Sequence, residues 1–318
     1  MPARPTIAVT RWIPDEAVKV LAEAGEVRLS DLDRPLTPEE LRSFVAGASA
    51  IVSMLHDRID ASVVEAAGPQ LAVVANVAVG YDNVDVPALA AREVTVTNTP
   101  GVLTDATADL AFGLLLAVTR RLGEGERLLR ARQPWSFHLG FLLGSGLQGK
   151  TLGIVGLGQI GRAMATRAAA FGLRTVYSGR SEKPDFDGEF VPFDELLRRS
   201  DFVSLHCPLT PETRHLIDAA ALRAMKRTAY LVNTTRGPVV DEAALADALA
   251  AGEIAGAALD VFEREPEVEP RLLERDDVVV MPHLGSATVE TRTAMAVLAA
   301  RNVTSVLAGE APLTEVTP

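Results

Sequence analysis

Three side chains of complementary chemistry each follow a predicted strand in the second half of the chain. They are Arg236 after strand 229–233, Glu265 after strand 256–261, and His283 after strand 278–281. Because the carboxyl ends of parallel strands meet at one edge of a sheet, we expect the three side chains to line the same crevice.

Together these side chains supply what the reduction of a 2-keto acid needs besides a hydride. Arg236 is the candidate anchor for the substrate carboxylate, because a guanidinium can bind a carboxylate through two parallel hydrogen bonds. His283 is the candidate proton donor for the carbonyl oxygen, because an imidazole titrates near neutral pH. Glu265 would orient the imidazole and favour its charged form.

Each of the three has a plainer interpretation when it is taken alone. An Arg-Gly pair after a strand is often a surface turn, Glu265 stands in an acidic run at 263–267, and an isolated histidine is usually structural. The shared strand edge and the complementary chemistry favour the functional interpretation. Three of the other histidines, His56, His138 and His215, lie in predicted loops or helices. The fourth, His206, ends a predicted strand, where a packing role and a cofactor contact are equally suitable.

A glycine-rich loop lies between the predicted strand 151–155 and a helix that runs to Phe171. Its residues fit the pattern G-x-G-x-x-G: Gly156, Leu157, Gly158, Gln159, Ile160 and Gly161. The glycines permit a tight turn, a close approach of the backbone to a pyrophosphate, and close packing of helix on strand. The helix N-terminus adds N–H donors and partial positive charge. The context predicts a dinucleotide site; the alternative is a glycine-rich turn without a ligand.

The end of the next predicted strand bears on the choice of dinucleotide. An NAD site normally has an acidic residue there, about 20 residues beyond the glycines, to bind the ribose hydroxyls. This chain instead has Ser178, Gly179, Arg180 and Ser181, with Lys183 close by. We therefore predict a preference for NADP(H), with NAD(H) possible; the alternative is that Arg180 is a solvated loop residue.

Strand-like runs alternate with helical stretches along the chain, which is typical of parallel sheets wrapped by helices. The predicted fold class is α/β, with two doubly wound parallel-sheet domains around a cleft. Thr37 to Glu40 form a capping box that begins one helix. The predicted strands are 6–10, 27–29, 50–54, 71–76 and 95–98, then 151–155, 174–177, 202–206, 229–233, 256–261 and 278–281.

Two helices suggest how the domains are connected. A long helix at about 104–121 bridges the two strand groups, and a last helix at about 288–307 follows the second group. We expect that last helix to fold back on the first group of strands. The prediction is a substrate-binding domain of residues 1–99 plus 288–318 and an NAD(P)-binding domain of residues 100–287.

Composition limits the classes of partner. The 318 residues are 48% hydrophobic and carry a formal net charge of -11, which argues against nucleic acid or an anionic membrane surface. The single cysteine, Cys207, cannot form an intrachain disulfide. The N-terminus lacks the apolar core of a signal peptide, and the most apolar stretch, 110–118, is half the length of a membrane span. We expect a cytoplasmic protein and predict no metal site.

The chain resembles the D-isomer-specific 2-hydroxyacid dehydrogenase family over nearly its whole length. The residues that carry the resemblance occur in the family's order: 76–82, the glycine loop, 206–210, 233–237, 259–262 with Glu265 and Pro266, and 282–288. Residues 102–105 and 177–180 are most similar to the glyoxylate/hydroxypyruvate reductase branch. The resemblance implies reduction of a small 2-keto acid to a D-2-hydroxy acid. It also implies a fold made of a flavodoxin-like substrate domain and a Rossmann nucleotide domain.

The resemblance also assigns site residues. Arg236, Glu265 and His283 become the substrate-binding arginine, the supporting acid and the proton donor. Substrate contacts are implied for three residues of the first domain: Leu55, Val79 and Gly80. Cofactor contacts are implied, besides the glycine loop and residues 178–181, for Thr107, Cys207, Pro208, Thr213, Thr234, Thr235, Asp260, His283 and Gly285.

Some alternatives stay open at this point. The family is typically dimeric through the segment 104–146, where Trp135 and Phe137 would either reach a neighbour's site or belong to a core. Within the family, phosphoglycerate-type or bulkier keto acids are alternative substrates, and Arg58 would then meet a phosphate. A non-catalytic, nucleotide-sensing protein like the family's corepressors is the alternative from another class.

Overall fold

The computed structural model describes residues 4–317, which divide into two compact units. Unit 1 comprises the described residues up to Leu103 and those from Ala287 onward. Unit 2 is the continuous stretch from Thr104 to Ser286. Each unit is built on its own parallel sheet.

Unit 1 has a five-stranded sheet in the order β2-β1-β3-β4-β5, in which every neighbouring pair is parallel. This is the flavodoxin-type order, with the switch point between β1 and β3. Four helices follow strands along the chain. The elements are β1 (Thr6–Val9), α1 (Asp15–Ala24), β2 (Glu26–Leu29), α2 (Pro38–Val45), β3 (Ala50–Ser53), α3 (Ala61–Ala67), β4 (Val73–Asn76), α4 (Val86–Ala90) and β5 (Thr95–Thr97).

Local sequence explains where several of these helices begin. The capping box predicted for α2 is present: Thr37 Oγ1 accepts from the Glu40 N–H, and the Glu40 carboxylate accepts from the Thr37 N–H. Asp60 and Asp85 cap α3 and α4 in the same way, through side-chain oxygens. The central strands β3 and β4 are buried at every residue, as expected for strands covered on both faces.

Unit 2 has a seven-stranded parallel sheet in the order β12-β11-β10-β9-β6-β7-β8. This is the dinucleotide-fold order with one further strand at the β12 edge. The elements are α5 (Thr104–Thr119), α6 (Leu122–Arg130), β6 (Thr151–Val155), α7 (Gln159–Ala170), β7 (Arg174–Ser178), β8 (Glu189–Phe190), α8 (Phe193–Arg199), β9 (Phe202–Leu205), α9 (Ala219–Ala224), β10 (Tyr230–Asn233), α10 (Glu242–Ala250), β11 (Gly256–Leu259), α11 (Pro270–Leu273) and β12 (Val278–Val280).

The prediction of six strands for this sheet was one strand short. The missed strand is β8, which has only two residues, both exposed, and pairs with Val176 and Tyr177 of β7. Two exposed residues leave no periodic signal in the sequence. The other six strands lie where they were predicted, with ends that differ by at most a few residues.

The apolar stretch of α5 is a buried helix of unit 2. Residues on several sides of it are buried, including Ala111, Leu115 and Val118, and it packs against α7 and the strands β10 and β11. Among residues 4–317, no helix combines the length and the apolar character needed to cross a membrane.

The last helix, α12 (Val289–Leu307), belongs to unit 1, where it packs against α1 and strands β3 and β4. Its buried residues Ala296, Ala300 and Val303 join the same apolar cluster as Ile7 and Val9 of β1. Beyond the helix, residues of the C-terminal segment pair with β5, as in the bridge between Thr97 and Glu315. Unit 1 is therefore assembled from both ends of the described chain.

Candidate active site

The loops after β10, β11 and β12 carry the three side chains that the sequence singled out. The three strands are neighbours in the sheet of unit 2 and run parallel. Arg236, Glu265 and His283 therefore stand in loops at one edge of that sheet. The edge is the carboxyl one, where ligands bind in open α/β sheets.

Glu265 and His283 are in direct contact. Nδ1 of His283 lies 2.9 Å from Oε2 of Glu265, and Oε1 of Glu265 accepts a hydrogen bond from the Phe262 N–H at 3.1 Å. An ionised carboxylate can only accept a hydrogen bond, so Nδ1 of His283 carries the proton in this contact. Nε2 is then the ring nitrogen that is left to exchange a proton with a substrate. Both side chains are about three-quarters buried, at 25% and 20% exposed.

Asp260 holds the turn that presents His283. Its two carboxylate oxygens accept from the N–H groups of Leu284 and Gly285 at 2.7 and 2.8 Å, and its carbonyl accepts from the His283 N–H at 2.8 Å. His283 has a φ of 56°, a conformation uncommon for a residue with a side chain. Thr107 of α5 adds a hydrogen bond to the Gly285 carbonyl at 3.1 Å. Burial raises the pKa of Asp260.

The Arg236 loop is closed by Asn233, the last residue of β10. Oδ1 of Asn233 accepts from the N–H and hydroxyl of Thr235, while its Nδ2 donates to the Arg236 carbonyl at 3.0 Å. Gly237 then passes directly over the next loop, since a Cβ there would lie 1.8 Å from the Phe262 carbonyl carbon. Only glycine permits this approach, which joins the Arg236 loop to the Glu265 loop.

The glycine loop has the geometry expected of a pyrophosphate site. Gly156 has a φ of 94°, and a Cβ there would lie 2.7 Å from the Cys207 nitrogen. A Cβ on Gly161 would lie 2.5 Å from the Gly156 carbonyl oxygen, so the helix packs closely on the strand. At Gly158, the N-cap of α7, a Cβ would meet no atom within 4 Å. The backbone there borders open space, which fits the close approach of a phosphate.

The loop after β7 carries side chains of both charges: Arg180 and Lys183 are positive, and the exposed Glu182 lies between them. Ser178 is buried, whereas Gly179, Arg180 and Ser181 are exposed. Lys183 Nζ lies 3.3 Å from the Ser181 hydroxyl. The neighbouring carboxylate of Asp185 is paired with Arg162 of α7 at 2.8 Å. Arg180 is therefore an exposed cation two residues beyond the end of β7.

The segment after β9 lies beside the glycine loop, but most of its polar groups bond locally. The Thr213 hydroxyl donates to the Pro208 carbonyl at 2.7 Å, and His206 Nε2 lies 2.8 Å from the Ser204 hydroxyl. Burial lowers the pKa of His206 to about 4, so its ring is neutral at physiological pH. Burial also raises the pKa of the Cys207 thiol to about 11, which makes it unreactive.

Thr234 differs from these residues. Its side chain is buried at the carboxyl end of β10, and within residues 4–317 its hydroxyl has no hydrogen-bond partner. A buried, unsatisfied hydroxyl costs free energy unless a ligand or water completes it. Its place at this edge is consistent with a polar ligand group beside β10.

Unit 1 presents two loops at the carboxyl ends of β3 and β4. Leu55 lies in the first loop, and Val79 and Gly80 lie in the second; all three are partly exposed. The carbonyls of Val79 and Gly80 accept from the side-chain amides of Asn98 and Asn76, at 2.8 and 3.0 Å. Their own N–H groups make no hydrogen bond within the described part of the chain.

Residues that the sequence did not single out hold these loops. Asn83 Nδ2 donates to the carbonyls of Met54 and Asp57, at 3.1 and 2.9 Å, and lies 3.2 Å from Asn76 Oδ1. Oδ2 of Asp57 accepts from the Thr10 hydroxyl at 2.5 Å and from the Met54 N–H at 2.7 Å. Burial raises the pKa of Asp57. Asn76 stands in the motif 76–82 and Asn83 directly follows it. Met54 and Asp57, to which Asn83 donates, lie 26 or more residues away, so the sequence gives no signal of these contacts.

No group of three histidine, cysteine or carboxylate side chains within residues 4–317 has the arrangement of a metal site.

The chain is similar to known dehydrogenases and reductases. Residues 112–285 match the family model described as D-isomer specific 2-hydroxyacid dehydrogenase, NAD binding domain. A glyoxylate reductase of Thermococcus onnurineus is 47% identical, over 98% of this chain and 95% of that protein.

Solved structures show the same fold. A protein of Thermus thermophilus is 46% identical with a TM-score of 0.92, covering 98% of this chain and all of that one. An NADPH-dependent glyoxylate/hydroxypyruvate reductase of Sinorhizobium meliloti, solved with NADP and malonate, is 36% identical with a TM-score of 0.86, covering 99% and 97%.

The two parallel sheets and the placement of Arg236, Glu265 and His283 agree with these matches. The chain belongs to the D-isomer-specific 2-hydroxyacid dehydrogenase family. It is an NAD(P)-dependent dehydrogenase, and a nicotinamide dinucleotide is its cofactor.

Proposed function

We propose that this chain reduces glyoxylate or hydroxypyruvate to the corresponding D-2-hydroxy acid, with NADPH preferred over NADH. The observation that carries the proposal is the 2.9 Å contact between His283 Nδ1 and Glu265 Oε2, in loops at the sheet edge that also bears Arg236 and the glycine loop. The glyoxylate reductases among its relatives support this substrate class.

The proposed roles follow from the chemistry of each side chain. Arg236 binds the substrate carboxylate and polarises the neighbouring carbonyl. His283 donates the proton that the carbonyl oxygen gains, and Glu265 stabilises the imidazolium form that makes the donation possible. The bound nicotinamide supplies the hydride.

We further propose that unit 2 is the NAD(P)-binding domain and unit 1 the substrate-binding domain. In unit 2 the glycine loop would hold the pyrophosphate, and the buried Thr234 hydroxyl would gain a partner on the nicotinamide side. For unit 1 we propose substrate contacts at Leu55, Val79 and Gly80, because backbone N–H groups without protein partners are suited to a carboxylate.

A homodimer is proposed on the basis of an exposed apolar surface in unit 2. Helix α6 has no buried residue, although Leu122 and Leu129 on it are apolar. Trp135 and Phe137, for which the sequence left a core position open, are 56% and 79% exposed. Exposed apolar groups concentrated in residues 122–143 favour a second copy of the chain as their cover. Sedimentation equilibrium would show a monomer if this proposal is wrong.

The experiment that tests the proposed activity is an initial-rate assay of NADPH and NADH oxidation. Glyoxylate, hydroxypyruvate, pyruvate and a bulky 2-keto acid are offered separately. We expect the highest kcat/KM with glyoxylate or hydroxypyruvate and NADPH. Turnover of bulky acids alone would remove the substrate assignment, and no turnover at all would favour a nucleotide-sensing role.

The cofactor preference is tested at Arg180. Arg180→Ala removes the exposed guanidinium proposed to meet the 2'-phosphate, so kcat/KM with NADPH should fall about tenfold or more while that with NADH is unchanged. Arg174→Ala, an exposed arginine at the other end of β7, is the matched control. Equal losses with both cofactors would show that Arg180 does not select between them.

A further inference from the structure

One buried carboxylate holds the Glu265 loop at two points. The side chain belongs to Glu242, the first residue of α10, which is only 7% exposed. Its Oε1 accepts from the Glu263 N–H at 2.5 Å, and its Oε2 accepts from the Glu269 N–H at 3.4 Å. Glu265 lies between those two points.

The attachment is reciprocal on one side. Oε1 of Glu263 accepts from the Glu242 N–H at 3.1 Å, so the loop also caps the start of α10. The same carboxylate lies 3.0 Å from Nε2 of His215. Next to this point, Gly237 lies against the Phe262 backbone. The segment before Glu265 is therefore fixed by α10 on one side and by the Arg236 loop on the other.

Burying this carboxylate has a cost that helix formation alone does not explain. An acidic residue in the first turn already stabilises a helix while it remains exposed to water. Burial here disfavours the charged form and raises the pKa of Glu242, while the two N–H donors offset part of that penalty. The burial of the Glu242 carboxylate is explained if its role is to hold the loop through the Glu263 and Glu269 N–H groups rather than to stabilise the helix.

We propose that Glu242 is a positioning residue for Glu265: by holding Glu263 and Glu269, it keeps the Glu265 carboxylate on Nδ1 of His283. The inference rests on the proposed function, in which Glu265 supports His283 as proton donor. It adds a residue that would touch neither substrate nor cofactor.

Glu242→Gln tests the inference, because glutamine keeps the length of the side chain but replaces one accepting oxygen with a donating NH₂ group. One of the two loop attachments is then lost. Glu242→Asp is the second variant, since it keeps the charge but is one methylene too short to reach both N–H groups. Asp218→Ala is the control: it removes the cap of α9 in the same unit without touching the loop.

Two readouts separate positioning from general stability. The first is kcat for keto-acid reduction beside the Kd for NADPH. The second needs no substrate: in histidine-labelled protein, the hydrogen-bonded Nδ1 proton of His283 gives a downfield proton signal, assigned by its loss in Glu265→Gln. The signal of His215, which lies near the same loop, is distinguished by a His215→Gln spectrum.

We expect Glu242→Gln and Glu242→Asp to weaken or abolish the His283 signal. Both variants should also lower kcat about tenfold or more, because a misplaced Glu265 removes part of the rate enhancement that general acid catalysis provides. The Kd for NADPH should stay unchanged, and Asp218→Ala should retain both signal and kcat. A full signal with kcat equal to the control would overturn the inference, as would a wild-type spectrum without the signal. If wild type turns over no keto acid, the proposed function fails, but the spectra still decide the role of Glu242.

Discussion

The two units share a doubly wound parallel sheet, yet their strand-end loops are built differently. In unit 1 the side chains that hold the loops are mainly neutral amides, Asn76, Asn83 and Asn98, and what they position is backbone. In unit 2 buried carboxylates, those of Asp260 and Glu242, hold the loops of His283 and Glu265, while Asn233 closes the Arg236 loop. What these three loops present is ionisable side chains. We therefore expect the same architecture to serve backbone recognition in unit 1 and acid–base chemistry in unit 2.

This difference is physically reasonable. A neutral amide can satisfy carbonyls without bringing charge near a bound anion, whereas a carboxylate favours a nearby protonated imidazole. The comparison predicts that substitutions in the strand-end loops of unit 2 will reduce the rate of the chemical step. Substitutions in the strand-end loops of unit 1 should instead weaken substrate binding.

The largest effect is expected at His283. His283→Ala removes the proposed proton donor, so kcat should fall roughly 100- to 10,000-fold while NADPH still binds. Arg223→Ala, which changes an exposed residue of α9 in the same unit, should leave kcat unchanged. Stopped-flow reduction and fluorescence titration of NADPH measure the two quantities. If the variant keeps most of its turnover, His283 is not the acid and the contrast between the units disappears.

A smaller effect, of a different kind, is expected at Asn83. Asn83→Ala leaves the carbonyls of Met54 and Asp57 without their donor, at a cost of about 1–3 kcal/mol to the loop. KM for the keto acid should rise about tenfold, with kcat changed much less. Thr37→Ala, which removes the capping box of α2 in the same unit, is the control for stability. A fall in kcat at constant KM would show that unit 1 acts on the chemical step.

The smallest effect concerns Asp57 and appears in stability. Its pKa is raised from 3.8 by burial, so the folded state retains its proton to higher pH than the unfolded state. The stability this contributes is full at low pH and is lost as pH rises through the folded pKa. Asn at this position can accept the same two hydrogen bonds through one oxygen.

Asp57→Asn should therefore gain in free energy of unfolding relative to wild type as pH rises above about 4. Denaturant unfolding at several pH values measures the difference. A difference that is constant with pH, or that shrinks as pH rises, would show that burial does not control this carboxyl.

Much of the site was visible in the sequence because it depends on local patterns. The glycine loop needs only its own residues and the flanking strand and helix, and Arg236, Glu265 and His283 are each found by counting from the end of a strand. The α/β class and the doubly wound sheets follow from alternation along the chain. These features carry their signal within a short window.

The residues that hold the site were not visible for the opposite reason. Glu242 reads as an ordinary acidic residue at a helix start, and only its contacts with Glu263 and Glu269, more than 20 residues later, show what it does. Asn83 bonds to Met54 across a similar separation. Strand β8 has two exposed residues and no pattern at all. Sequence reasoning finds groups with chemical roles more readily than the long-range contacts that position them.

The placement of α12 has a consequence for how the protein is made. Its apolar face covers β1, β3 and β4, which leave the ribosome more than half the chain earlier. At about 5–20 residues per second, the intervening residues of unit 2 take roughly 10–40 s to synthesise. During that time this face of the first sheet has α1 but not α12 as cover, while unit 2 emerges as a continuous piece. The sheet whose strands are made first is thus the last to be completed, and the apolar surface that α12 covers stays exposed until the end of synthesis.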